Sequence, residues 1–151
     1  MIDAKRILLV EDNRDDEELT MLALRKNRIA NPVSVARDGV EALDFLFGVG
    51  THAGRDIKDQ PQLILLDLNL PRLDGLEVLR CIRADERTRF LAVVVLTSSK
   101  EDNDVITSYV NGANAYVHKP VEFDQFCDAL HTLGCFWLLL NESAPKRRTS
   151  P

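Results

Sequence analysis

The sequence predicts a doubly wound α/β fold, a five-stranded parallel sheet with helices on both faces. Three observations predict it. Five apolar runs of strand length alternate with five longer amphipathic stretches along the 151 residues. The runs are almost continuously apolar, as strands covered on both faces must be. Acidic, hydroxyl or basic residues stand at the ends of four of the runs, and open parallel sheets build their sites outside those carboxyl ends.

RILLV (6–10) is the first strand. The stretch 14–28 follows as a helix, with Leu19, Leu22, Ala23 and Lys26 on one face at helical spacing. Asn31-Pro32 breaks the chain, and VSVA (33–36) is the second strand. Gly39 to Phe47 reads as a helix with Val40, Leu43 and Leu46/Phe47 inward, and 48–60 as a long polar, glycine-containing loop. LILLD (63–67) is the third strand, and 75–84 the third helix, with Asp74 as its N-cap. LAVVVLT (91–97) is the fourth strand, with Ser99 placed to cap the helix that follows. That helix runs from Lys100 to Asn111 and stops at Gly112. AYVH (115–118) is the fifth strand and 122–140 the fifth helix. One domain over 1–140 is expected, with a polar, basic and disordered tail over 141–151 and no attached output domain.

Composition narrows the function. A net charge of −5 argues against nucleic-acid binding, which favours a basic stripe. No apolar run approaches the ~20 residues that span a bilayer, and no secretory signal opens the chain, so a cytoplasmic location is expected. Cys81, Cys127 and Cys135 are scattered and odd in number, as reduced core thiols would be. His52, His118 and His131 lack zinc-ligand spacing.

The puzzle is LILLDLNLPRLDG (63–75), where four apolar residues run into Asp67. Burying a lone carboxylate is costly, so something must compensate it. The fold supplies the compensation by bringing distant strand ends to one rim. Glu11 and Asp12 follow the first strand, Thr97, Ser98 and Ser99 the fourth, and Lys119, before Pro120, the fifth. Three carboxylates together repel one another, and a hard divalent cation such as Mg2+ relieves them. A metal, an ammonium and a hydroxyl are the parts that hold a phosphoryl group in transfer. Asp67, fixed in direction by its apolar strand, is then the nucleophile that forms an aspartyl phosphate. Asp12, shorter and at the start of the loop, is expected to meet the metal directly and Glu11 through water.

LLVEDN, LILLDLNLPRLDG, VVVLTSS and AYVHKP stand in the order and spacing of the response-regulator receiver domain, which the chain resembles from about residue 5 to 140. The resemblance implies strand order 2-1-3-4-5, the flavodoxin-like topology of the chemotaxis receivers. It implies Asp67 as phosphoacceptor and Glu11, Asp12, Asp67 and the Asn69 carbonyl as the shell of a Mg2+ ion, with Mn2+ able to substitute. Thr97, Ser98 and Lys119 would bind or make room for the phosphoryl group, Tyr116 would be the aromatic switch, and Pro120 would follow a cis peptide bond. His118 has no implied duty. More narrowly, VEDNRDDEELT, the long loop after helix 2 and the Phe-Trp near the end of helix 5 resemble the stand-alone receivers of cyanobacterial phytochromes. That implies a light-sensing bacterial histidine kinase as donor and an unnamed downstream protein as target.

Kinase docking is expected at Arg14, Asp15, Glu18 and Leu22 and at the turn after Lys119. GCFWLLLN (134–141) is too apolar for one helical face, so a homodimer through Phe136 and Trp137 is expected, against the simpler reading that these turns close the sheet's open end. Two other functions compete. A haloacid-dehalogenase-type phosphatase also uses Asp, Lys, Thr and Mg2+, but its nucleophile follows the first strand, with a second Asp two residues on; here Asn69 stands there and cannot deliver a proton. A flavodoxin-type cofactor carrier would place FMN phosphate against EDNRDDEE, a loop that repels it. The chain thus reads as a signalling receiver with self-catalysed phosphotransfer and slow autodephosphorylation, not as a turnover enzyme.

Overall fold

The computed structural model describes residues 5–97, 102–119, 122–134 and 137–138. It contains β1 (Ile7–Val10), α1 (Arg14–Lys26), β2 (Val33–Ala36), α2 (Gly39–Phe47), β3 (Leu63–Leu66), α3 (Gly75–Ala84), β4 (Val93–Thr97), α4 (Asp102–Val110), β5 (Ala115–His118) and α5 (Phe123–Gly134). The sheet order is β2-β1-β3-β4-β5, and every pairing is parallel. Lys100 and Ser99 lie outside the described residues, as does the tail 141–151.

Alternation along the strands splits the core in two. Ile7, Leu9, Leu63, Leu65, Val94 and Leu96 meet Ala23 and Leu24 of α1 and Phe126, Cys127 and Leu130 of α5. Leu8, Val10, Ile64, Leu66 and Val93 meet Ala42, Phe45 and Leu46 of α2 and Val78, Leu79 and Ile82 of α3. With both faces covered, β1 and β3 are buried at every position, which explains their unbroken apolar runs.

The two helix faces expected from periodicity need correction. In α1 the inward residues are Thr20, Ala23 and Leu24, while Leu19 and Leu22 stand nearly half exposed. Thr20 turns inward because its hydroxyl donates to the Asp16 carbonyl (2.9 Å), which satisfies its one donor locally. In α2, Leu46 is buried and Leu43 packs against the core as expected, Ala42 and Phe45 join them, and Val40 and Phe47 are only partly covered. Arg87 stacks over the Phe47 ring at 4.7 Å, so that ring serves the surface.

The loop after α2 holds a single 3-10 turn, Gly50–His52, and is pinned by Arg55. Arg55 stacks on Phe45 at 4.0 Å and donates to the carbonyls of Phe45 (2.6 Å) and Asp59 (2.6 Å). The described part of α5 runs to Gly134, and 135–136 and 139–140, within the expected 122–140, lie outside the described residues. Beyond it, Trp137 and Leu138 pack against the α1–α5 core, Leu138 fully and Trp137 in part. Gln62 and Lys5 donate to their carbonyls at 3.3 and 2.6 Å. These contacts agree with the reading that this segment closes the open end of the sheet.

Two glycines set the loop that carries the site. A side chain on Gly75 would meet the Asp67 carbonyl oxygen at 2.3 Å, and one on Gly39 would meet the Leu73 carbonyl oxygen at 1.9 Å. The start of α3 therefore lies directly against the backbone of Asp67 because residue 75 has no Cβ. Asp74 caps α3 as the sequence predicts, accepting from Glu77 N at 2.9 Å.

Candidate functional site at the carboxyl rim of the sheet

Register brings the strand ends together. Val10 stands opposite Ala36 on one side and Leu66 on the other, so the residues after β1 and β3 emerge side by side. Glu11 N donates to Ala36 O (2.9 Å) and Asp67 N to Val10 O (3.1 Å), which extends the ladder by one residue and fixes where both side chains start. Lys119 follows β5, two strands from β3. At about 4.8 Å per strand its side chain must cross the end of β4 to reach them, a span that a four-carbon stem can cover.

It does reach them. The Lys119 ammonium donates to Asp67 Oδ2 (3.0 Å), to Asp16 Oδ2 (3.1 Å) and to Glu11 Oε1. An ammonium carries three protons, so each finds a carboxylate. The other Asp67 oxygen, Oδ1, accepts from Asn69 N (3.0 Å). This answers the question raised by the apolar strand: Asp67, 8% exposed, is held at both oxygens. Glu11 is only 2% exposed. Burial pushes its carboxyl up to about 7, helped by the charge of Asp67 and opposed by Lys119. Burial alone would lower the Lys119 ammonium, but Glu11 and Asp67 outweigh it and hold the group above lysine's ordinary range.

The donor set suits a hard cation. Glu11, Asp16 and Asp67 offer carboxylate oxygens that all lie within 4.8 Å of one another. Three carboxylates against one ammonium leave an excess of negative charge at the rim, and all-oxygen ligation selects Mg2+ or Mn2+ over zinc.

The structure unites Glu11, Asp67 and Lys119 and adds Asp16, which the sequence reading did not single out. Asp16 is the third residue of α1, and the helix begins so soon after β1 that its first turn folds back over the rim. That short β1–α1 connection is the only trace of it in the sequence, and it does not say which acid of the first turn folds back. Asp12 is exposed and lies outside the cluster, and Asn69 is exposed beside Asp67. Thr97 ends β4 opposite His118, and Tyr116 stands opposite Val95, partly buried. The Thr97 side chain, Ser98 and Pro120 lie outside the described residues. Arg14, Asp15, Glu18 and Leu22 are all exposed on α1, and Asp15, Glu18, Leu19 and Leu22 line a shallow groove. Phe136 is outside the described residues, and Trp137 is partly buried. No helix among the described residues is long and apolar enough to cross a membrane.

A family model described as the response regulator receiver domain matches residues 7–131. The probable methanogenesis regulatory protein FilR2 of Methanothrix harundinacea is 39% identical over 137 residues, covering 91% of this chain and 86% of that protein. Response regulator Rcp1 of Synechocystis sp. is 38% identical over 134 residues, covering 89% of each. A crystal structure of the Mn(2+)-bound form of Rcp1 matches with a TM-score of 0.83, over 93% of this chain and 99% of that one. The phosphorylated cyanobacterial phytochrome response regulator RcpA is 36% identical with a TM-score of 0.86, covering 95% of this chain and all of that one. The bacteriophytochrome response regulator RtBRR is 50% identical with a TM-score of 0.77, covering 95% of this chain and 86% of that one.

Proposed function

This chain belongs to the response-regulator receiver family, and from that premise we propose that it accepts a phosphoryl group on Asp67 from a sensor histidine kinase of the bacterial phytochrome class. The observation that carries the reading is the buried Asp67 carboxylate, fixed by Lys119 and by Asn69 N at the carboxyl rim of the sheet. The names of the similar phytochrome regulators support the choice of donor.

In the transfer, a carboxylate oxygen of Asp67 bonds to phosphorus while the bond from phosphorus to the kinase histidine nitrogen breaks, and that nitrogen takes up a proton. Lys119 turns from a carboxylate to the phosphoryl oxygens, where charge accumulates. Thr97, at the end of β4, donates its hydroxyl to another of those oxygens, and Ser98 leaves room for them. Glu11, Asp12, Asp67 and the Asn69 carbonyl would hold the metal. When bound, Mg2+, or Mn2+ in its place, neutralises the charge of the phosphoryl group. Asn69 offers no acid to speed hydrolysis, which favours a stored signal over rapid turnover and disfavours the phosphatase reading.

The kinase meets Arg14, Asp15, Glu18 and Leu22 on α1 and the turn that contains Pro120, in the cytoplasm. Drawing Thr97 inward frees space for Tyr116, so the signal leaves through α4, β5 and α5 to a downstream protein. A second copy of the chain docks near Phe136 and Trp137. Phosphotransfer profiling against a kinase panel tests the donor. A red-light-sensing histidine kinase should load one base-labile phosphoryl group per chain, faster than kinases of other classes. Equal or faster loading by unrelated kinases would overturn the phytochrome pairing.

A further inference from the structure

We infer that Asp16 is a positioning residue for Lys119: it holds the ammonium at the rim by a hydrogen bond while the other two carboxylates on Lys119 turn to other duties. The inference rests on the reading of Asp67 as phosphoacceptor.

The three carboxylates around the ammonium are not equivalent. Asp67 is the group to be modified, and Glu11 and Asp67 both stand in the set that holds the metal. A cation entering between them competes with Lys119 for the same oxygens and repels the ammonium, since both are positive. Asp16 is not the group modified and stands outside the set Glu11, Asp12, Asp67 and Asn69 proposed for the metal, so on that reading it is the anchor that remains. Without it, the ammonium of a long and flexible side chain would be pushed toward solvent.

Asp16 is built for this. Its backbone is fixed at both ends, with Asp16 N donating to Asn13 Oδ1 (3.0 Å) and the Asp16 carbonyl accepting from Thr20 Oγ1 (2.9 Å). Thr20 is itself 1% exposed, so the first turn of α1 is tied to the core just beneath Asp16. The carboxylate sits at the N-terminal turn of the helix, where negative charge is favoured. It remains partly open to water, while Glu11 beside it is buried. A direct ligand role is the competing reading, because the Asp16 carboxylate lies within the same 4.8 Å group.

The test compares Asp16→Asn and Asp16→Ala in the full chain. Asn keeps an accepting oxygen and loses the charge, whereas Ala loses both. With acetyl phosphate and saturating Mg2+, the initial phosphorylation rate should fall about threefold in Asp16→Asn and about thirtyfold in Asp16→Ala. Mg2+ affinity, by calorimetry, should stay within about twofold in both, because ligand loss would cost far more. In the Mg2+-loaded proteins, the NMR signal of the Lys119 ammonium should persist in Asp16→Asn and broaden by faster proton exchange in Asp16→Ala. A rate in Asp16→Ala equal to wild type overturns the inference, as does an equal loss in both variants, which would mean charge alone. A loss of Mg2+ affinity of about tenfold or more in both makes Asp16 a ligand instead. If the wild type takes up no phosphoryl group, the phosphoacceptor reading falls and this inference with it. A labelled wild type with unchanged Asp16→Ala removes the inference alone.

Discussion

The molecule buries cations at both ends of its sheet and satisfies them in opposite ways. At the amino end, Arg83 donates to the carbonyls of Gly112 (2.8 Å), Arg89 (2.9 Å) and Leu91 (2.7 Å) and to Asn114 Oδ1 (2.8 Å). Arg55 likewise faces backbone carbonyls and the Phe45 ring. Burial pulls both guanidinium groups below the ordinary arginine range, and no neighbouring carboxylate reverses it. At the carboxyl end, Lys119 faces three carboxylates and is held above its ordinary range. Neutral acceptors make a permanent tie, because the cation has nothing to exchange with. Carboxylates make a replaceable one, because any better cation or a transferring phosphoryl group can take the lysine's place. The amino end is thus scaffold, and the carboxyl end is chemistry.

The sharpest way to break this contrast is to remove each cation in turn. Lys119→Met should slow phosphorylation of Asp67 by about 10²–10³-fold, the usual cost of losing one oxyanion donor. Mg2+ affinity, by titration calorimetry, should hold or rise in the same variant, since the metal loses its competitor. Loss of both together would mean that Lys119 is scaffold too.

Arg83→Met should act the other way. It strands the partly buried carbonyls of Gly112 and Leu91, at a cost of about 3 kcal/mol in urea unfolding. Mg2+ affinity should not change, because nothing at the rim touches Arg83.

Glu11 sharpens the comparison through pH. Its folded carboxyl titrates at about 7, against 4.5 for the ordinary group. Between those values the folded chain holds a proton that the unfolded chain has released. Stability of the metal-free protein therefore falls as pH rises from about 4.5 to about 7 and levels off above, by at most about 3 kcal/mol. Glu11→Gln should flatten that slope in EDTA while weakening Mg2+ binding. An unchanged slope would place the effect on another group. The smallest effect is expected at Arg55→Ala, about 1–2 kcal/mol with faster proteolysis in the 48–60 loop.

The carboxyl end was far more legible in the sequence than the amino end. Apolar runs that stop at Asp67, Glu11 and Lys119 mark strand ends, and parallel topology puts such ends on one rim. The third carboxylate, Asp16, was hidden because a helix's first turn is an ordinary place for acids, and periodicity says nothing about which of them folds back. The face of α1 departs from its periodicity, because a polar Thr20 faces inward and apolar Leu19 and Leu22 face outward, and in α2 Phe47 is only partly covered. Arg55 and Arg83 gave no signal at all, since their partners are backbone carbonyls, which every sequence has everywhere. Leu138, in the apolar run beside Phe136 and Trp137, is 4% exposed and packs in the α1–α5 core, with Lys5 and Gln62 donating to the carbonyls of Leu138 and Trp137.

The central claim is that the rim exists to load Asp67. Acetyl phosphate and Mg2+, followed by borohydride reduction and tandem mass spectrometry, locate the aspartyl phosphate by residue. The account predicts one phosphoryl group per chain, confined to Asp67 and lost in a folded Asp67→Asn variant. Label at another aspartate in the wild type, or equal label in Asp67→Asn, would contradict it.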